Sequence, residues 1–195
     1  LVLHVVTVRT GDKYPESYEI ALRKQVYGHL GKPLVVLREQ RYPFEGYWSK
    51  IELFSPEFEF RPCLFFDLDT FIMDDIRDML FEPESLWLIR DFNNPETRSN
   101  SGIMMIPEDT ESIWENSKKW TRNNADGDFL NTQPHEKIQD HFHGVYSYKR
   151  HCKVRPNDGR EQSYPADARV ICFHGHPRPH EATDWAGERW QKLIN

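Results

Sequence analysis

The first forty residues restrict the fold more than any other part of the chain. LVLHVVTVRT (1–10) is a β-branched apolar run about the length of a buried strand. It closes on Gly11–Asp12, a turn signal. PESYEIALRKQVYGHLG follows, with Pro15 early, Tyr18, Ala21, Leu22 and Val26 at helical spacing, and Gly31 as a stop. PLVVLRE (33–39) reads as a second strand. Strand, helix, strand is a βαβ opening, which favours a parallel sheet with a right-handed crossover.

The remaining segments extend that frame. YWSKIELF (47–54) puts Trp48, Ile51 and Phe54 on one helical stripe, and RPCLFFDLDTFI (61–72) reads as one central strand. LWLIRDF (86–92) and SGIMMIP (101–107) are further strands, and 110–121 is helical with Ile113, Ser117 and Trp120 on one face. A short helix is expected over 134–142, opened by Pro134, then strands over 146–154 and 168–175. The end, TDWAGERWQKLIN, is an amphipathic helix with Ala186, Trp190, Leu193 and Ile194 inward. Early alternation followed by a mixed second half predicts an α/β fold whose sheet is parallel at first and mixed later. With 195 residues, one domain over 1–195 is expected. Ligands of open α/β sheets gather beyond the C-terminal strand ends, here 9–14, 67–70, 90–94 and 174–180.

Charge and cysteines narrow the function classes. A formal net charge of −6 disfavours a partner such as nucleic acid, whose binding needs a basic face. No run approaches the roughly 20 apolar residues of a membrane span, and no charged start plus apolar stretch reads as a signal peptide. Cys63, Cys152 and Cys172 form no spaced pair, which fits reduced thiols and a cytoplasmic setting.

The sharpest chemical signal is Asp67 and Asp69. Residues i and i+2 of a strand share a face, so the two carboxylates would stand together while Leu68 points into the core. Two poorly solvated anions repel, and a divalent cation resolves both problems. Oxygen ligands of this kind suit Mg²⁺ or Mn²⁺. A calcium loop of the EF-hand type fails, because Phe71 and Ile72 stand at its fifth and sixth positions. A haloacid-dehalogenase-like phosphatase, with Asp67 as nucleophile, stays open as an alternative, although its usual DxDGT is not matched and its motif normally lies on the first strand. The second cluster is CFHGHPRPHE (172–181). A zinc site from His174, His176 and His180 is conceivable. Simpler is His174 alone, leaving a strand end beside Gly175 to complete the coordination of a metal at the aspartates. Arg178 would then offer its fork of donors to a diphosphate. Lys50 could reach phosphate, but a lone lysine is more often on a solvated face. Asp91 ends a strand on the ligand side, where it could bind sugar hydroxyls. Asn100 offers an amide, and Gly102 lets a ligand approach the backbone. Asp126 and Asp128 flank Gly127 in what reads as an acidic turn.

The ordered set of segments resembles the GT-A glycosyltransferases, particularly those related to family 8 and to small bacterial and viral relatives. Residues 5–14 resemble the nucleotide-binding first strand and loop, FFDLDTFI the DxD strand, and RSNSGIMMI (98–106) the N-S-G strand that touches the donor sugar. DGDFLN (126–131) resembles the DQDxLN element, and FHGHPRP the terminal His-Gly-Lys-Pro region. The chain departs from the pattern at Gly127, where Gln is usual, and at Arg178, which replaces Lys at a shorter spacing from the His. The resemblance implies a Rossmann-like nucleotide-binding half, a mixed central sheet and helices on both faces. It implies Mn²⁺ or Mg²⁺ held by Asp67, Asp69 and His174. Thr7, Arg9, Tyr14, Lys50, Asp67, Asp91, Asn100, Ser101, Gly102 and Arg178 would meet the nucleotide or donor sugar, with Tyr14 stacking on uracil. Asp128 or Asp126 would orient the acceptor. The implied reaction is transfer from a UDP-sugar to a glycan or other hydroxyl acceptor, with retention. Phosphate hydrolysis and a nucleotide-sugar or glycan-binding module without turnover remain the competing classes.

Overall fold

The computed structural model describes residues 3–44, 46–121, 125–153 and 163–195. Residues 1–2 of the expected first strand and Val154 of the expected 146–154 strand lie outside them.

The βαβ opening forms as expected. β1 (His4–Val8) leads into α1 (Glu16–Leu30), which ends at Gly31, and β2 (Leu34–Leu37) lies parallel to β1. A 3₁₀ helix spans Gly46–Phe54. β3 (Cys63–Phe66) is parallel to β1 on its other side. β4 (Thr70–Ile72), β5 (Trp87–Arg90) and β6 (Ser99–Ile106) follow, then α2 (Glu111–Lys118), α3 (Asp126–Leu130), β7 (Glu136–Lys137), β8 (Val145–Ser147), β9 (Val170–Cys172) and α4 (Trp185–Ile194). The main sheet has six strands in the order β2-β1-β3-β6-β5-β7, with β6 antiparallel to β3 and β5. This is the mixed sheet the sequence predicts.

Both faces of that sheet are buried, which explains its nearly continuous apolar strands. Val5, Leu64, Phe66, Ile103 and Met105 face the core under α1 and α4, with Tyr18, Leu22, Ala186 and Trp190. Val6, Cys63, Phe65, Met104 and Ile106 face the other way, against Ile51 and Phe54 of the 46–54 helix, Trp114 of α2 and Phe129 of α3. The period-two alternation of β1, β3 and β6 thus sorts their side chains into two cores.

Four expectations are corrected. The 61–72 run is not one strand: β3 stops at Phe66, and β4 belongs to a second sheet of order β4-β9-β8. Both halves are apolar because both are buried, so hydrophobicity alone does not reveal the change of sheet. Gln25 of α1 secures the junction, donating to Thr70 O at 3.4 Å and accepting from Ile72 N at 2.9 Å. Residues 134–142 form β7 and one 3₁₀ turn, since Lys137 pairs with Leu88 of β5. The 146–154 strand ends at Ser147, where one π-helical turn, Tyr148–Cys152, begins; Ser147 Oγ caps it by accepting from Arg150 N. Finally, Asp126–Leu130 is a short helix rather than a turn.

Candidate active site

Asp67 lies where β3 leaves the main sheet, and Asp69 just before β4 opens the second one. Between them Leu68 is 3% exposed, pointing into the core as the DLD pattern predicts. The pair therefore sits on a seam between sheets, not on one pleat. Asp67 keeps a last ladder bond, donating its N–H to Gly102 O at 2.8 Å.

The neighbouring strand is shaped for this approach. β6 pairs regularly with β5 up to Met104–Leu88, then shifts register so that Asn100 opposes Ile89. The irregularity spans Ser101, Gly102 and Ile103, and Gly102 there approaches Asp67. A Cβ on Gly102 would lie 3.0 Å from Asn100 Oδ1 and 3.6 Å from Asp67 Oδ2, so a bare backbone is needed here. Asn100 turns back on its own strand, its Oδ1 accepting from Gly102 N at 2.7 Å.

Lys50 corrects the expectation of a solvated face. It is buried, and its ammonium donates to Asp67 at 2.8 Å from Oδ1 and 3.0 Å from Oδ2. Ser101 Oγ lies at 3.4 Å and Asp126 Oδ2 at 3.7 Å. Ser101 in turn donates to Asp126 at 2.5 Å. Burial alone would lower the Lys50 ammonium, but the charges of Asp126 and Asp67 more than offset this and hold it above its ordinary value. Asn131 pins α3 to β6 by accepting from Ser99 N at 2.7 Å and donating to Ser99 O at 2.7 Å. That role of the DGDFLN asparagine was not read from the sequence.

Asp69 is buried and receives the Tyr14 hydroxyl at 3.0 Å. Burial, and then the Asp67 charge, raise its carboxyl above the ordinary range, against the hydrogen bond from Tyr14. Burial likewise raises Asp67, opposed by Lys50. Burial and the two aspartates raise the Tyr14 phenol, which stays a hydrogen-bond donor. Cys172 also lines the site, where burial raises its thiol well above the usual value and so disfavours the thiolate.

These groups share a cavity of about 460 Å³ whose wall includes Tyr14, Lys50, Asp67, Asp69, Asp91, Asn100, Ser101, Gly102, Asp126, Asp128 and His174. The structure thus brings together eleven of the residues singled out from the sequence. Tyr47, 57% exposed, also lines it. Three candidates stand apart from that wall. Thr7 is fully buried and donates to Phe66 O at 2.8 Å, bridging β1 to β3. Arg9 turns to Glu19 at 3.1 Å, a carboxylate that also holds Arg23 and Arg38. Arg178 lays its guanidinium over the Tyr14 ring, 5.1 Å from the centroid, and donates to Lys13 O at 3.2 Å. Asp91 accepts from the N–H groups of Asn93 and Asn94 at 2.8 Å each, shaping its own loop. Asp128 pairs with Arg98. Between Asp126 and Asp128, a Cβ on Gly127 would meet nothing within 4 Å, so the room a Gln would fill stays open.

The three histidines of 172–181 diverge. His174 Nε2 shares a 2.6 Å hydrogen bond with Ser147 Oγ, and its ring stacks on Phe92. His176 pairs with Glu181 at 2.7 Å, and His180 Nδ1 shares a 2.5 Å bond with the Tyr18 hydroxyl. The zinc alternative therefore fails geometrically, and His180, though exposed, ties the terminal loop to α1. Burial, then the Lys149 charge, lower the His174 imidazole, which favours its neutral form. Among the described residues no three His, Cys, Asp or Glu side chains form a metal-binding group. His174 shares the cavity with the aspartates without completing one.

Neither a protein-family model nor a curated protein sequence matches the chain. Its backbone is similar to the galactosyltransferase LgtC, solved with donor and acceptor sugar analogues, at TM-score 0.67 and 14% identity over 98% of this chain and 95% of that one. The glycosyltransferase GlyE of Streptococcus pneumoniae gives a TM-score of 0.64 at 14% identity, over 100% of this chain and 60% of that one. A glycosyltransferase involved in glycosylating the major capsid of PBCV-1 gives 0.56 at 11% identity, over 98% and 100%. The chain has the GT-A glycosyltransferase fold, as the ordered motifs imply. Its DLD segment follows the third strand, not the first as in the phosphatase alternative. No helix among the described residues is long and apolar enough to cross a membrane.

Proposed function

We propose that the chain, as one domain over 1–195, is a glycosyltransferase that moves a sugar from a UDP-sugar to an acceptor hydroxyl, with Mn²⁺ or Mg²⁺ at Asp67 and Asp69. The observation that carries this reading is the convergence of Asp67, Asp69, Lys50 and Asp126 on one cavity of a GT-A fold. The donor set fits a hard cation. Two carboxylates raised by burial stand close enough for one to raise the other, and a bound dication would relieve both effects. His174, neutral and on the same wall, is proposed as the third ligand on the strength of the resemblance. When bound, the ion neutralises charge on the leaving diphosphate.

The chain's own groups supply the rest. Lys50 holds Asp67 and Asp126 in place from below. Tyr14 fixes Asp69 through its hydroxyl and offers its ring to the base. Asn100, Ser101 and Gly102 form the floor for the donor sugar. Asp128, more exposed than Asp126, faces the acceptor side, and Asp91 offers oxygens to sugar hydroxyls. Retention of configuration rests on the family resemblance alone. Three buried free thiols support a cytoplasmic setting.

A thermal-shift screen of UDP and UDP-sugars, with and without Mn²⁺, tests the reading. The expected result is strong stabilisation that requires the ion, by mass action. Equal shifts in EDTA would remove the metal bridge. Stabilisation without turnover on any hydroxyl acceptor would leave a binding module.

A further inference from the structure

The π-helical turn after β8 carries a cation that the motifs do not point to. Lys149 is half-buried, and among the described residues its ammonium has no ion pair or hydrogen bond. It lies against the cavity wall: Nζ is 3.3 Å from where a Cβ on Gly175 would stand. Gly175 itself lines the cavity at φ 74°, a conformation that favours glycine. The wall thus carries no side chain at Gly175, and the ammonium of Lys149, outside the lining, lies beside that position. Two residues earlier, at the end of β8, Ser147 holds His174, so the segment that steadies the histidine runs directly into the turn that carries the lysine.

We propose that Lys149 docks the diphosphate of the donor beside Gly175. Half-burying an unpaired ammonium is costly, and an anion that arrives with the ligand removes that cost. Without ligand, Lys50 is already engaged by Asp126 and Asp67. Arg178, the cation nominated from the sequence, lies over Tyr14 and donates to a backbone carbonyl. Burial lowers the Lys149 ammonium below its ordinary value, and the residue is near enough to the site for the Asp69 charge to oppose this in part. A compact ammonium reaching past Gly175 suits a phosphate oxygen as a point charge.

The assignment rests on the nucleoside diphosphate reading, and titrations of the folded variants separate the two. The probes are UDP, inorganic pyrophosphate and uridine, at fixed Mn²⁺. Lys149→Met should weaken UDP and pyrophosphate about tenfold or more and leave uridine unchanged, while Lys149→Arg retains most of the affinity. Unchanged UDP binding by Lys149→Met, with a tenfold loss for Arg178→Met, would give the role to Arg178 and overturn the assignment. If Lys149→Met lowers uridine binding equally, the residue shapes the cavity instead. A wild-type protein that binds neither UDP nor pyrophosphate would remove the donor reading itself, and Lys149 with it.

Discussion

The two sides of the cavity are built differently. On the main-sheet side, Lys50, Asp67, Ser101 and Asp126 form a closed network, each group partnered by another. On the small-sheet side, Asp69 and His174 line the cavity without bonding to each other, and Lys149 lies beside its wall at Gly175. The first side is organised before any ligand arrives. The second has its groups in range, and a ligand or ion would draw them together. The contrast teaches that stability and binding should separate by side.

Lys50→Met is the strongest test. It leaves Asp67 and Asp126 without their shared cation, and breaking a buried pair in this way costs about 3–5 kcal/mol. Urea unfolding should register that loss; a change below about 1 kcal/mol would show that the network is not a structural unit. Next in size come His174→Ala and Asp69→Ala. Each should weaken Mn²⁺-dependent UDP binding by about two orders of magnitude, on the scale of losses at metal-site residues. His176→Ala should bind normally. His180→Ala should also bind normally but lose about 1 kcal/mol of stability with its bond to Tyr18. Nucleotide titration and unfolding of all four decide it: normal binding by His174→Ala would place that loop outside the metal site. Asp128→Asn should spare nucleotide binding and lower turnover about tenfold, more through kcat than KM, as for a group acting in the transition state. Full activity there with loss for Asp126→Asn would move the acceptor role to Asp126; full activity of both variants would make α3 structural. Tyr14→Phe is the mildest. Losing one hydrogen bond of about 1 kcal/mol to Asp69 should cost a few-fold in Mn²⁺ affinity, readable by calorimetry.

The same division marks what the sequence made legible. The βαβ opening, the aspartate pair and the β6 segment announce themselves through local pattern. Lys50 does not, because the carboxylates that compensate its buried charge are 17 positions away in Asp67 and further still in Asp126. A lone lysine in an amphipathic segment gives no local sign of such partners. The break at Phe66 was hidden because both sides of it are core. The π turn was hidden because YSYKRHCKV has the composition of a strand. Thr7 and Arg9 stand in the right segment, yet the pleat and α1 direct them to Phe66 O and Glu19. Segment order was therefore readable, while side-chain direction depended on packing.

The seam at 67–69 has a consequence for how such a site can be retuned over evolutionary time. Were both carboxylates on one pleat, their spacing would be a constant of β geometry. Here it depends on how two sheets meet, and β4 is positioned by β9 and by Gln25. A change of volume at Ile171 or Phe173, far from solvent, can shift Asp69 relative to Asp67 and leave the DLD letters untouched. Mg²⁺ demands nearly ideal octahedral geometry at short distances, whereas larger ions tolerate looser cages. Drift in the core around β9 would thereby alter which ion a given spacing prefers, so two chains with the same motif can differ in metal preference for reasons that no motif records.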